Sequence, residues 1–197
     1  MSADDRPIRL FVALPVAEAA RPTLADSIAQ VRARLSPTHE AALRWVSPEA
    51  FHVTLRFLGA TEPARLEDVA AAVEAAAVGV RPFDAATGPI GLLGPRRSPT
   101  VVLQLTTGVE EVVRLDARLA LALAARGWPR PERSIRPHLT IARGRSSRDA
   151  RGAAAAVAGA GGLDRVSWPV ERIAVIESQL GGGTPRYVER MSWVLRR

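Results

Sequence analysis

The sequence predicts an α+β fold in which two antiparallel sheets carry helices on their outer side. Three observations support this fold class. Strand-like and helix-like segments alternate along the chain, and no linker long enough to separate independent domains interrupts them. Hydrophobic residues make up 47% of the 197 positions, which is enough for a sizeable core. We therefore expect one domain that spans residues 1–197.

The first part of the chain alternates short apolar strands with amphipathic helices. Leu24, Ile28 and Val31 recur at helical spacing, and the pair Ser36-Pro37 ends that helix. Thr61 and the acidic residues that follow it are typical of a second helix start. The strands are predicted over 9–14, 43–46 and 51–58, and the helices over 18–35 and 61–78.

The second part repeats this arrangement around the clearest helical pattern in the chain. Val112, Leu115 and Leu119 recur at three- and four-residue steps, and Gly127 and Pro129 end that helix. The strands are predicted over 83–93, 100–106, 138–142, 170–177 and 187–195, and the helices over 109–126 and 149–158.

The composition excludes several kinds of chemistry. The chain has no cysteine, which excludes a disulfide scaffold, a thiolate zinc site and a cysteine nucleophile. All 27 basic residues are arginine, so lysine Schiff-base chemistry and a P-loop lysine are excluded as well. The net charge of +7 and the planar guanidinium favour a phosphate-bearing partner. No apolar run suits a membrane span or a signal peptide, so we expect a soluble cytoplasmic protein.

Two short segments repeat one polar pattern. His52-Val53-Thr54-Leu55 and His138-Leu139-Thr140-Ile141 both read histidine, apolar, threonine, apolar. Because side chains alternate along a strand, each histidine shares a face with its threonine while the apolar pair faces a core. The third histidine, His39, lacks this context and is expected in a solvated loop.

This repeated pattern suits the chemistry of a phosphodiester. If the two strands are central in two lobes related by a pseudo-two-fold axis, the groove between them holds two imidazoles and two hydroxyls. One imidazole can take a proton from water while the other gives one to the leaving oxygen. The hydroxyls can donate to the non-bridging phosphate oxygens. Neither a metal nor another cofactor is needed, and two histidines without a third ligand make no convincing metal site.

The residues around these motifs resemble a known family. The chain begins with the strand Arg9–Leu14, continues through the runs His52–Gly59 and Arg136–Arg143, and closes with strands that carry Glu177 and Tyr187. In this setting the two His-x-Thr motifs resemble the 2H phosphoesterase superfamily. The resemblance points to one branch, the RNA 2′,3′-cyclic phosphodiesterases formerly called 2′-5′ RNA ligases. The glycine turn at 181–183 is looser than the family's usual form.

The resemblance implies a bilobal fold with a central cleft and the hydrolysis of a terminal 2′,3′-cyclic phosphate to a 2′-phosphate. It also implies a reversible 2′-5′ RNA ligation. His52 is preferred as the general acid and His138 as the general base, with Thr54 and Thr140 on the phosphate oxygens. The expected partner is an RNA with a 2′,3′-cyclic phosphate terminus, with no membrane, no obligate protein partner and a monomeric chain.

Further positions follow from the same resemblance. Five residues after each histidine stand Phe57 and Arg143, which in similar enzymes flank the terminal nucleobase. Strict strand alternation would place them opposite the histidines, so each strand must bend or end before them. The other candidates for lining the cleft are Arg136, Arg56 and Tyr187. Arg96 and Arg97 lie in a predicted loop, where they would meet the RNA backbone.

Two alternative functions stay open at this point. The first keeps the chemistry but acts on a small cyclic nucleotide or a 2′-5′-linked oligonucleotide, and the length dependence of turnover distinguishes it. The second is a non-catalytic RNA-binding module that uses an arginine-lined groove. Such a module predicts salt-sensitive binding that does not depend on the two histidines.

Overall fold

The computed structural model describes residues 6–95, 98–145, 149–161, 163–179 and 185–196. The predicted glycine turn at 181–183 and the pair Arg96-Arg97 lie outside the described residues. The strands are β1 (Ile8–Pro15), β2 (Leu43–Trp45), β3 (His52–Thr61), β4 (Phe83–Leu93), β5 (Thr100–Thr107), β6 (His138–Gly144), β7 (Ser167–Val170), β8 (Arg172–Gln179) and β9 (Arg186–Val194). The helices are α1 (Arg21–Ala33), α2 (Pro37–Ala41), α3 (Leu66–Ala77), α4 (Val109–Ala124) and α5 (Ala150–Gly159).

The strands form one curled antiparallel sheet that has two halves. Its order is β7-β4-β5-β6-β3-β1-β8-β9, with β2 added alongside β6. The halves meet where β3 lies against β6, and in the described residues this seam has a single register pair, Val53 with Leu139. The predicted α+β class and bilobal arrangement are confirmed, with the two expected sheets joined at the seam.

The order of elements in the chain repeats between the two halves. The succession β1, α1, β3, α3 recurs as β5, α4, β6, α5. From the seam outward, one half has the strand order β3, β1, β8, β9, and the other half has the order β6, β5, β4, β7. Equivalent strands that meet in antiparallel fashion are related by a two-fold rotation. The seam therefore lies on a pseudo-two-fold axis.

Side-chain alternation separates a helix-packed face of the sheet from a second face that we call the cleft face. On β1, Leu10, Val12 and Leu14 join the main core together with the apolar sides of the helices. Phe11 and Ala13 join a small separate cluster instead. The same alternation on β3 and β6 turns the polar residues of the two His-x-Thr motifs to the cleft face, while their apolar neighbours anchor the strands in the core.

One helix differs from its prediction at both ends. The segment predicted as a helix over 18–35 starts with a short 3₁₀ turn, and α1 begins only at Arg21, with a proline in its first turn. Pro37 was expected to end helical structure, but it opens α2, because the Ser36 hydroxyl accepts a hydrogen bond from the His39 backbone N–H at 3.3 Å. His39 therefore lies in a short helix, and the loop prediction for it was wrong.

The strand predicted over 170–177 is two strands that belong to different halves. β7 pairs with β4, whereas β8 pairs with β1, and the chain crosses from one half to the other at Glu171. β7 carries Pro169, which has no backbone N–H, and it lies at the outer edge of the sheet where a proline is tolerated.

Candidate active site

The two His-x-Thr motifs meet at the seam. Val53 and Leu139, the apolar residues inside the motifs, are paired and almost fully buried. An antiparallel register centred on this pair sets each histidine beside the threonine of the other motif. Because neighbours along a strand point to opposite faces, four half-buried polar side chains share the cleft face. They are His52, Thr54, His138 and Thr140.

A β-bulge interrupts each of the two seam strands at the same place. In β3, the residues on either side of Leu55, Thr54 and Arg56, lie opposite consecutive residues of β1. In β6, the register against β5 skips Ile141 in the same way. Each extra residue stands three positions after its histidine, so the bulge is part of the repeated unit.

The bulges reverse the alternation beyond them. Phe57 lies opposite Phe11 of β1, and Arg143 lies opposite Thr100 of β5. Phe57 contacts the Phe11 ring on the cleft face and keeps 69% of its surface exposed. The structure thus supplies the bend that the sequence required between each histidine and the fifth residue after it.

His52 is neutral at pH 7 in this setting. Its Nδ1 lies 2.7 Å from the carbonyl oxygen of Ala50, and because a carbonyl only accepts, Nδ1 carries the proton and Nε2 keeps a lone pair. Burial lowers the pKa of His52 from its ordinary 6.5 to about 4. The Ala50 hydrogen bond opposes this shift, and the positive charges of Arg143 and His138 add to it.

His138 is held by the same kind of contact. Its Nδ1 lies 2.6 Å from the carbonyl oxygen of Arg136, again the residue two positions earlier. The proton on Nδ1 is thereby directed to the backbone, which leaves Nε2 available for a substrate. Both imidazoles are therefore presented in the same tautomer from equivalent strands.

Aromatic rings pack around His52. The Phe11 ring centroid lies 4.9 Å from that of His52 and 5.3 Å from that of Tyr187. Tyr187 meets His52 edge-on at 5.5 Å. The predicted position of Tyr187 in the cleft agrees with this cluster. Sequence reasoning missed Phe11 as a site residue, because β1 is buried on both faces and its alternation gives no signal.

The structure brings two of the three other predicted arginines to the cleft. Arg143 is close enough to His52 to lower the pKa of that histidine. Arg136 is exposed and lines a pocket together with His138. One guanidinium therefore lies near each imidazole, although the two arginines do not occupy equivalent positions in the two halves.

Arg56 is not brought to the cleft. The bulge at Leu55 turns it toward the helices, where its guanidinium forms an ion pair with Asp116 of α4. The Asp116 side chain is only 5% exposed. Burial raises the pKa of Asp116, and the Arg56 charge opposes that rise. Arg56 thus holds a helix against the strand instead of facing a substrate.

Two further features are absent from the described part of the chain. No three histidine, aspartate or glutamate side chains of the described residues lie together as a metal ion would require. No helix in the described ranges is both long and apolar enough to cross a membrane.

The sequence is similar to known proteins over most of its length. The profile of the 2′-5′ RNA ligase superfamily matches residues 16–182. A relative from Geobacillus stearothermophilus named RNA 2′,3′-cyclic phosphodiesterase is 30% identical over 139 residues, which are 68% of this chain and 41% of that protein. A relative of the same name from Bacillus subtilis matches over 55% of its own length. A third, from Methanothermobacter thermautotrophicus, is 25% identical over 92% of this chain and 96% of its own.

Solved structures share the fold over nearly the whole chain. A protein of Thermus thermophilus aligns with a TM-score of 0.69 at 27% identity and covers 96% of this chain and 98% of its own. The structure of E. coli LigT complexed with 3′-AMP aligns with a TM-score of 0.72 at 21% identity and covers 97% and 99%. The second likeness concerns the fold alone.

Proposed function

The chain belongs to the 2′-5′ RNA ligase superfamily, and from this premise we propose that it hydrolyses the 2′,3′-cyclic phosphate at an RNA end to a 2′-phosphomonoester. The observation that carries the proposal is the pairing of Val53 with Leu139, which sets two His-x-Thr motifs side by side in one cleft. The three relatives named RNA 2′,3′-cyclic phosphodiesterase support the reaction. The arginine excess suits a polyanionic substrate.

The proposed reaction is an in-line displacement at phosphorus. Water attacks opposite O3′, so that the new P–O bond forms as the P–O3′ bond breaks. One imidazole takes the proton of the attacking water, and the other gives a proton to O3′. The hydroxyls of Thr54 and Thr140 donate to the non-bridging oxygens and stabilise the charge there. With a 5′-hydroxyl in place of water, the same displacement forms a 2′-5′ linkage.

The two proton transfers are proposed for His52 as the acid and His138 as the base. Without substrate, the lowered pKa of His52 favours the reverse order, because a neutral imidazole accepts protons. A phosphate anion between the motifs raises the pKa of an adjacent imidazole. Substrate binding therefore favours the charged form of His52, which can then give a proton to the leaving oxygen.

The remaining cleft residues are proposed to hold the terminal nucleotide. Phe57 offers an exposed aromatic face, and Arg143 offers a planar guanidinium, so the two can flank a nucleobase. Tyr187 contacts the His52 ring edge-on and fixes its orientation.

The first experiment compares histidine variants on an RNA that ends in a 2′,3′-cyclic phosphate, in buffer that contains EDTA. His52→Ala and His138→Ala should each lower the rate by about 10²–10⁴-fold, because each removes one proton transfer. His39→Ala is the matched control and should leave the rate unchanged, since His39 lies in α2 on another part of the chain. Full turnover by either cleft variant, or RNA binding without turnover by the unmodified protein, would contradict the proposal.

A second experiment assigns the two roles. A cyclic phosphate with sulfur in place of O3′ releases a thiolate, which leaves without receiving a proton. The proposed order predicts that this substrate restores turnover to His52→Ala and not to His138→Ala. Restoration of His138→Ala instead would reverse the assignment, and restoration of neither variant would contradict the division into an acid and a base.

A further inference from the structure

The two sides of the cleft differ, although the strands that build them are equivalent. Beside His52, the rings of Phe11 and Tyr187 occupy the cleft face. Beside His138 there is instead an open pocket of about 450 Å³. We call it the Gln104 pocket, after the residue that distinguishes it. The lining residues used below are Gly91, Leu93, Gln104, Ile135 and Arg136.

Gln104 marks the difference between the two sides at one position. It lies directly opposite His138 in the β5–β6 pair, and the equivalent place opposite His52 in the β1–β3 pair is held by Pro15. The Gln104 side chain is exposed, and among the described residues its amide has no hydrogen-bond partner. An amide offers both donors and an acceptor, which is what the edge of a nucleobase requires.

The other walls suit a flat, partly apolar group. Leu93 and Ile135 are half-buried and supply apolar surface. Gly91 brings its backbone close to the Gln104 amide, since a Cβ at this position would stand 2.9 Å from Gln104 Nε2. Arg136 is exposed and adds a guanidinium to the same lining. Apolar walls with a few convergent polar groups are typical of a small-ligand site.

We propose that the Gln104 pocket binds the nucleobase of the nucleotide that precedes the cyclic phosphate end of the RNA. This proposal rests on the function proposed above. The base of the terminal nucleotide is assigned to Phe57 and Arg143, so a second base site adjoining His138 belongs to the next nucleotide along the chain. Arg136 then meets the phosphodiester that joins the two nucleotides.

The test compares a mononucleoside 2′,3′-cyclic phosphate with dinucleotides that carry each of the four bases before the same cyclic end. Gly91→Leu fills the pocket and should lower the dinucleotide-to-mononucleotide ratio of kcat/KM by about tenfold, through KM. Gln104→Ala should reduce the differences in kcat/KM among the four dinucleotides, because it removes the amide that contacts the base edge. Gln30→Ala, on the exposed side of α1, is the matched control and should change neither quantity.

The outcomes separate this proposal from the one on which it rests. If the unmodified protein hydrolyses neither substrate, the proposed function fails and the pocket proposal falls with it. If it hydrolyses both and Gly91→Leu leaves the ratio unchanged, the pocket proposal is overturned while the proposed function stands. Equal losses on both substrates would assign the pocket to the terminal base, which also overturns it. Circular dichroism of each variant checks that the fold is kept.

Discussion

Each cleft histidine makes one hydrogen bond to the backbone. The Nδ1 atoms of His52 and His138 both lie within hydrogen-bond distance of the carbonyl oxygen two residues earlier, at 2.7 Å and 2.6 Å. The sequence repeat could identify the two histidines but not their tautomer, because the accepting carbonyl depends on how the chain enters each strand. The environments still differ, since the rings of Phe11 and Tyr187 bury only His52.

This difference predicts an unusual titration for His52. The chain has three histidines, so each imidazole can be followed by NMR as a function of pH. His52 should titrate with a pKa of about 4, because burial disfavours its charged form. Inorganic phosphate should raise that pKa, since an anion in the cleft stabilises the imidazolium. A His52 resonance that titrates at the ordinary 6.5 without phosphate would contradict the burial argument.

The element that aims the cleft side chains is the β-bulge, and its anchors differ between the two halves. At the position after the extra residue, β3 carries Arg56, which pairs with Asp116 of α4, whereas β6 carries the buried Ala142. Sequence periodicity could show that each strand must bend between its histidine and the fifth residue after it. It could not show that a bulge at Leu55 or Ile141 provides this bend. The register depends on the neighbouring strand, which a single segment does not reveal.

The ion pair under the first bulge should contribute to stability as a unit. Asp116→Ala leaves the Arg56 charge buried without its partner and should lower the free energy of unfolding by about 3–5 kcal/mol. The double variant Arg56→Met with Asp116→Leu removes both charges and should recover most of that loss. Urea unfolding measures both values. Arg114→Ala, which breaks only exposed pairs, is the control and should cost less than about 1 kcal/mol.

At the scale of the whole molecule, two equivalent halves share one seam and an excess of positive charge. The α+β class, most elements and the pairing of the two motifs could be predicted, because the apolar spacing and the repeat are local signals. The crossing at Glu171 could not, since β7 and β8 follow one another without a turn signal yet pair with strands of opposite halves. The same holds for Phe11, whose contact with His52 depends on the pairing of β1 with β3.

The net charge of +7 predicts a salt effect that grows with substrate length. For an RNA of about ten nucleotides, kcat/KM should fall roughly tenfold between about 50 and 200 mM salt, because counterion release contributes to binding at each phosphate contact. A mononucleoside 2′,3′-cyclic phosphate carries a single charge and should show a much smaller change. Equal salt dependence for the two substrates would indicate that only the terminal nucleotide is bound.

The crossing at Glu171 also bears on how the chain acquires its structure during translation. The half that carries His138 consists of β4, β5, β6 and β7, which occupy one continuous stretch from Phe83 to Val170, apart from the short β2. The half that carries His52 combines β1 and β3 with β8 and β9, so its two outer strands leave the ribosome last. β1 and β3 are synthesised early, but they pair fully only after β8 and β9 have been made. We therefore expect the half that carries His138 to fold before the half that carries His52.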